Sequence, residues 1–187
     1  NATILGNVVF GTERMANGDV RGIWTKDVIV NINCRNNIVY RTGVFFDSDD
    51  VTDPTSEHEI SGVFSGNLVA GMNEVHKTKG TDADFGRINA PILVRMIEIA
   101  GNVPGTLNGT LEISGNNVWR FANTTPDQAT IESGPHLGVR NLSVNPTSSF
   151  YDVADTLDGW TGNFDTKPDW AGDPESGDFR LNANPLN

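Results

Sequence analysis

The sequence predicts an all-β fold: a parallel β-helix (β-solenoid) of about five to seven coils, at roughly 25 residues each, with an irregular C-terminal cap. One short phrase recurs along the chain, its first copies are evenly spaced, and apolar residues alternate with polar ones between copies. The phrase is an apolar residue, a spacer, Gly or Asn, and then Asn. Its copies place candidate corner asparagines at Asn7, Asn37, Asn67, Asn102, Asn117 and Asn141.

The spacing of these copies suits stacked coils. The first three are thirty residues apart, and the step from Asn117 to Asn141 is 24 residues. One coil made of short strands and loops of variable length has this size. Asn102 and Asn117 are too close for a full coil, so we expect one of them to be a second corner of the same turn.

The residue types in the phrase predict a corner between two strands. A sharp bend forces one residue into the left-handed helical region, which Gly tolerates because it lacks a β-carbon and Asn tolerates because its amide bonds locally. In stacked coils the corner amides can hydrogen-bond along a ladder, while apolar side chains pile into buried columns. Stacking is then the source of stability.

Alternation between the corners predicts the strands. A strand pair surrounds Asn7. Residues 28–35 alternate so that Val28, Val30, Ile32 and Cys34 share the inward face, with Cys34 as a small buried hydrophobe. An apolar run follows over residues 38–46. The β-branched content of residues 92–99 favours a strand over a helix.

After Asn117 the alternation slips. Trp119 and Phe121 are predicted to point inward. Arg120 stands three residues after Asn117, the position that Tyr40 has after Asn37. Many short strands separated by Gly, Pro and Asn turns are also typical of an antiparallel β-sandwich or jelly roll, which is the alternative fold class.

We expect the β-helix coils to span residues 1–145. Residues 146–187 differ in composition, with Asp, Gly, Pro and widely spaced aromatic residues, and are predicted to be an irregular cap or tail of the same domain. Its rings would anchor it across the end or side of the coils.

Composition limits the partners. The chain has 24 acidic and 13 basic residues, a formal charge of −11, which argues against nucleic acid as a partner. No apolar run reaches the roughly 18 residues that a membrane-spanning helix needs. The sequence begins at Asn1 without Met, which fits a mature chain after removal of a signal peptide, so we expect an extracellular or cell-surface location.

The asparagine corners resemble those of the right-handed parallel β-helix in secreted pectate-lyase-like proteins. Chains of that superfamily often finish with a phrase like residues 173–181, Asp-Pro-Glu-Ser-Gly-Asp-Phe-Arg-Leu. The resemblance implies an extracellular β-helix. It covers most of residues 1–145 and the terminal phrase, and it transfers no catalytic residue to this chain.

One cluster is a candidate metal site. Asp47, Asp49, Asp50 and Asp53 place four carboxylates within seven residues of a predicted loop, a density that suits calcium. A solvated acidic loop is the alternative, because the cluster lacks the Gly and the terminal Glu of a helix-loop-helix calcium site. Asp152, Asp155 and Asp158 form a weaker candidate.

Two functional hypotheses remain open. The first is a non-enzymatic structural or adhesive subunit of an extracellular fibre or surface assembly, which self-associates through strand edges. The second is a polysaccharide lyase-like or carbohydrate-binding module for acidic polysaccharide. In the second, His76 or Lys77 is the base, Arg87 neutralises the uronate, and Trp24, Trp119 or Trp160 stacks on sugars.

Overall fold

A computed structural model of the protein describes residues 1–11, 22–26, 29–47, 60–71, 91–96, 111–120, 137–141, 151–152 and 159–183. These residues form an all-β structure with a single short 3-10 turn, Pro174–Ser176. In chain order the strands are β1 (Ala2–Leu5), β2 (Val8–Phe10), β3 (Ile23–Lys26), β4 (Ile29–Arg35), β5 (Ile38–Tyr40), β6 (Val44–Asp47), β7 (Ile60–Ser65), β8 (Leu68–Gly71), β9 (Ile92–Met96), β10 (Leu111–Ser114), β11 (Asn117–Arg120), β12 (Leu137–Asn141), β13 (Tyr151–Asp152) and β14 (Trp160–Thr161).

The strands form three sheets that the chain visits in turn. The first sheet has the order β1-β4-β7-β10-β14, the second β2-β5-β8-β11, and the third β3-β6-β9-β12-β13. Neighbouring strands are parallel throughout these sheets, except that β13 runs antiparallel to β12. A hairpin reverses the chain and gives antiparallel neighbours, so the antiparallel sandwich or jelly roll does not describe these sheets.

Aligned registers stack the inward side chains into columns. One column in the first sheet consists of Ile4, Cys34, Phe64, Ile113 and Trp160. A column in the second sheet consists of Val9, Val39, Val69 and Val118. The interior members of both columns are fully buried, and all of these residues belong to or pack against one hydrophobic core. Each buried side chain of this size stabilises the fold by about 1.5–3 kcal/mol.

The corner prediction is confirmed where the first three copies of the phrase lie. The residue before each corner asparagine is left-handed, with φ of 64° at Gly6, 56° at Asn36 and 62° at Gly66. The same conformation recurs at Gly115 and Gly162, with φ of 59° and 63°. These five residues connect the first sheet to the second.

Two predicted corners are wrong and one lies outside the described residues. The fourth corner asparagine is Asn116, one residue before the predicted Asn117, because Gly115 supplies the left-handed residue. Asn141 ends strand β12 of the third sheet and is not a corner. Asn102 is not among the residues described.

Moving the fourth corner to Asn116 removes the apparent slip in the alternation. Trp119, not Arg120, stands in register with Tyr40 through Ala70. Val118 is the residue that enters the core, so the inward orientation predicted for Trp119 is wrong. Phe121 lies outside the described residues. Strand β9 agrees with the predicted strand over residues 92–99 for its first five residues.

The C-terminal segment, residues 164–183, covers part of the outer face of the second sheet. Phe10 and Tyr40 stack with ring centroids 5.8 Å apart, and Phe179 contacts both rings edge-on. Trp170 packs edge-on against Tyr40 at 5.6 Å. This contact agrees with the prediction that aromatic rings anchor the C-terminal residues. Part of the predicted tail nevertheless continues the first sheet, because β14 pairs in parallel with β10.

A polar clamp accompanies these rings. The Tyr40 hydroxyl donates a hydrogen bond of 2.6 Å to Glu175 Oε1. Arg41 Nε lies 2.9 Å from the same oxygen, at ion-pair distance but without hydrogen-bond geometry. Burial, assisted by the Glu175 carboxylate, raises the pKa of Tyr40 to about 12. The segment is therefore fixed to the sheet by both apolar and polar contacts.

Candidate functional site: the asparagine row and the first-turn edge

Five corner asparagines form a continuous hydrogen-bonded row between the first and second sheets. The row consists of Asn7, Asn37, Asn67, Asn116 and Asn163. At each step the earlier asparagine donates both its backbone N–H and its side-chain Nδ2–H to the Oδ1 of the next. The eight bonds measure between 2.8 and 3.1 Å.

From Asn37 onward, each side-chain amide of the row also donates a hydrogen bond to a backbone carbonyl. Asn37 Nδ2 donates to the carbonyl of Ile4 at 3.0 Å, and Asn67 Nδ2 to that of Cys34 at 3.1 Å. Asn116 Nδ2 donates to Phe64 at 3.0 Å. Asn163 Nδ2 makes the corresponding bond to Ile113 at 2.8 Å.

An asparagine amide has two donor protons and an oxygen with two acceptor sites, and the interior members of the row use all of them. Asn37, Asn67 and Asn116 are buried. Burying an amide without partners costs free energy, so complete pairing explains why polar side chains can sit beside an apolar core.

The row has a direction, and its two ends therefore differ. Within the described part of the chain, Asn7 Oδ1 accepts no hydrogen bond, although Asn7 donates to Asn37 and to the Leu5 carbonyl. At the other end, the backbone N–H and one Nδ2–H of Asn163 have no acceptor among the residues that the structure describes. The Asn7 end of the row can therefore accept hydrogen bonds, and the Asn163 end can donate them.

Strands β1, β2 and β3 are the outer strands of the three sheets on one side, and we call them the first-turn edge. Large apolar side chains on this edge are exposed, Leu5 and Val8 by 51%, Trp24 by 50% and Phe10 by 36%. Ile4 and Val9, the first members of their core columns, are only partly buried. The edge thus combines apolar surface with a row of strand N–H and C=O groups.

The predicted calcium cluster lies mostly outside the described residues. Asp47 is the last residue of β6, and its three predicted partners, Asp49, Asp50 and Asp53, lie outside the described residues. Within the ranges that are described, no group of three or more His, Cys, Asp or Glu could hold a metal ion. The weaker candidate contributes Asp152 at the end of β13, while Asp155 and Asp158 are not described.

Only some of the residues predicted for polysaccharide chemistry lie within the described ranges. His76, Lys77 and Arg87 lie outside the described residues. Of the three tryptophans predicted to stack on sugars, Trp24 is half exposed, Trp119 is partly buried, and Trp160 packs against the core at the end of its column.

Cys34 is buried as predicted, and its thiol lies 3.3 Å from Asn37 Nδ2. Burial raises its pKa to about 12. The thiolate is the reactive form, and at about pH 8 only roughly 10⁻⁴ of the Cys34 side chains are ionised to it.

We expect native protein to resist a thiol-specific colorimetric reagent under conditions that label the urea-unfolded protein completely. Labelling of the native protein at the rate of a free thiol would contradict the described core.

Asn163 is a corner asparagine that is not among the predicted ones, although its sequence carries a signal. Residues 160–164, Trp-Thr-Gly-Asn-Phe, follow the pattern of residues 113–116, Ile-Ser-Gly-Asn: apolar, hydroxyl, Gly, Asn. The change of composition after residue 145 obscured this copy. The recurring phrase of an apolar residue, a spacer, Gly or Asn, and then Asn fits both Asn116 and Asn163.

Among the residues that the structure describes, no helix has the length and apolar character needed to cross a membrane. The chain matches no protein-family model, no curated protein and no solved structure.

Proposed function

We propose that the protein is a parallel β-helix of the pectate-lyase-like kind and serves as a non-enzymatic structural or adhesive subunit of an extracellular fibre or surface assembly. The rotation of the chain through three parallel sheets supports the β-helix, since each third strand returns beside its predecessor. The asparagine row supports it further, because equivalent corners stack directly on one another.

The first-turn edge is the observation that carries the functional proposal. An edge strand presents backbone groups that another chain can pair with, and proteins usually protect such edges with charges, Pro or a covering segment. Among the residues that the structure describes, this edge exposes Leu5, Val8 and Trp24. Apolar surface next to available strand hydrogen bonds favours association over a solvated edge.

Carbohydrate binding is the second candidate, and the half-exposed ring of Trp24 on β3 favours it. An aromatic ring of this kind can stack on a sugar face. We would titrate polygalacturonate against the protein and its Trp24→Ala variant, following tryptophan fluorescence and sedimentation with the polymer. Binding lost in the variant supports this candidate, and no binding by the native protein dismisses it. Ultraviolet absorbance of unsaturated uronate products, with and without calcium, tests the lyase form.

Self-association is tested best at Thr3. Gly6 N–H donates to the Arg35 carbonyl, so by alternation the N–H of Thr3 points away from β4, toward a potential neighbour. Thr3→Pro removes this donor and places a ring on the edge. The matched control Thr3→Val keeps the donor and the strand preference.

In sedimentation velocity over a wide concentration range, we expect the native protein and Thr3→Val to associate alike. We expect Thr3→Pro to need at least about tenfold more protein, because one strand hydrogen bond to a neighbour and its packing are lost, on the order of 1.4 kcal/mol. Circular dichroism verifies that all three fold. A native protein that stays monomeric, or a Thr3→Pro variant that associates equally well, would overturn the proposal.

A further inference from the structure

The two ends of the asparagine row are complementary to each other. Asn7 Oδ1 is an acceptor at the first-turn edge, and Asn163 offers two donors at the β14 end. We propose that the partner at the first-turn edge is the β14 end of a second copy of this chain, so that copies stack head to tail and the row continues across the junction. This inference rests on the proposed self-association and specifies its geometry.

The hydrogen bonds at such a junction repeat those inside the chain. Asn163 would donate its backbone N–H and its remaining Nδ2–H to Asn7 Oδ1 of the next copy, as Asn116 does to Asn163. Within its own chain, Asn7 Nδ2 donates to the Leu5 carbonyl. At the junction it would also donate to the Trp160 carbonyl of the preceding copy. Inside the chain, Asn163 Nδ2 makes the equivalent hydrogen bond to the Ile113 carbonyl. Every amide group in the row then has a partner.

The apolar columns also match in register. Trp160 stands at the end of the column that begins with Ile4, and both are only partly buried. Phe164 bridges in parallel to Asn117, whose register leads back through the second sheet to Val8. Head-to-tail stacking therefore places Trp160 on Ile4 and Phe164 on Val8. The incompletely buried apolar residues of one end then cover those of the other.

If two first-turn edges paired with each other, fewer of the hydrogen-bonding groups at the ends of the row would find partners. This pairing brings together two acceptors, the Oδ1 atoms of two Asn7 side chains, and leaves the donors of Asn163 without partners. Such a symmetric contact also closes after two copies, whereas a head-to-tail contact continues into a linear assembly. The direction of the row favours the second geometry.

Disulfide trapping tests the register directly. Leu5 and Thr161 share one outward column, through Arg35, Ser65 and Ser114, and both are exposed. Neighbouring strands are about 4.8 Å apart, which lies within the Cα separation that disulfides bridge. We would prepare Leu5→Cys, Thr161→Cys and the double variant, oxidise them mildly, and analyse them by non-reducing electrophoresis. The native Cys34 is buried and serves as an internal background.

Head-to-tail stacking predicts that an equimolar mixture of Leu5→Cys and Thr161→Cys gives covalent dimers, and that the double variant gives a series of multimers. Each single variant alone should give no covalent dimer and should migrate as a single chain in non-reducing electrophoresis. As a matched control, Lys167→Cys, an exposed position outside the column, should cross-link with Leu5→Cys at least about tenfold less than Thr161→Cys does.

The outcomes separate this inference from the function on which it rests. If Leu5→Cys alone forms dimers, the edges pair with each other and the head-to-tail geometry is wrong while self-association stands. If the native protein sediments as an assembly but the mixture does not cross-link, only the geometry fails. If the native protein is monomeric at all concentrations, both proposals fail.

Discussion

The variant Asn67→Ala is expected to lose about 3–6 kcal/mol of unfolding free energy, enough to unfold a domain of ordinary stability. Asn67 is completely buried at the centre of the row. Without its side chain, the backbone N–H and Nδ2–H of Asn37 lose their acceptor, and the Cys34 carbonyl loses a donor. Each buried group left unpaired costs about 1–3 kcal/mol. Urea unfolding followed by circular dichroism measures the loss.

Asn7→Ala is the matched control, because Asn7 makes the same row contact at the exposed end. Its backbone N–H still donates to Asn37 Oδ1 after the change, so we expect a loss below about 1 kcal/mol. Asn67→Asp adds a test of direction. Its side chain keeps the acceptor for Asn37 but can no longer donate to Asn116 Oδ1 or to the Cys34 carbonyl. Equal losses in Asn67→Ala and Asn7→Ala would show that the row does not stabilise the stack.

Gly62→Ala is expected to have the other large effect, a loss of more than about 4 kcal/mol or a failure to fold. Gly62 has φ of +123°, a conformation that side chains rarely adopt. A β-carbon there would lie 2.1 Å from the Ile32 carbonyl oxygen and 2.3 Å from the Ile32 nitrogen. Both are backbone atoms of the strand paired with β7, so neither can move aside without breaking the ladder. Soluble yield and urea unfolding measure the effect.

Gly115→Ala is the control for the backbone conformation alone. Gly115 is also left-handed, with φ of +59°, but a β-carbon there would meet no atom within 4 Å. We expect a loss of about 1–2 kcal/mol from the conformational strain. Gly115→Asn should cost less, since Asn36 occupies the equivalent corner at φ of 56°. Similar losses in Gly62→Ala and Gly115→Ala would contradict the close approach of β4 and β7.

The corners could be predicted from the sequence because their cause is local. A left-handed residue followed by a bonding amide leaves a Gly-Asn or Asn-Asn signature, and the thirty-residue interval located Asn7, Asn37 and Asn67. At residues 115–117 the same signature is ambiguous, since Asn116 and Asn117 are adjacent. Only the register with Asn67 decides between them.

The packing around the corners depends on contacts that no local pattern carries. The clash at Gly62 depends on the bulge in β4, where the register shifts between Ile29 and Ile32. The clamp of Glu175 on Tyr40 joins residues 135 positions apart. The candidate functional edge was anticipated as a strand edge. Its acceptor character follows from the direction of the row, which becomes evident only when the side-chain amides are placed.

The central claim is that buried side-chain amides, in one directional row, hold together the successive corners between the first and second sheets. Side-chain hydrogen exchange tests this claim most directly. In nitrogen-15 spectra of the dissociated protein transferred to deuterated water, we expect slow exchange for the side-chain amides of Asn37, Asn67 and Asn116, and fast exchange for that of Asn7. Exchange of all four at the rate of free amides would contradict it.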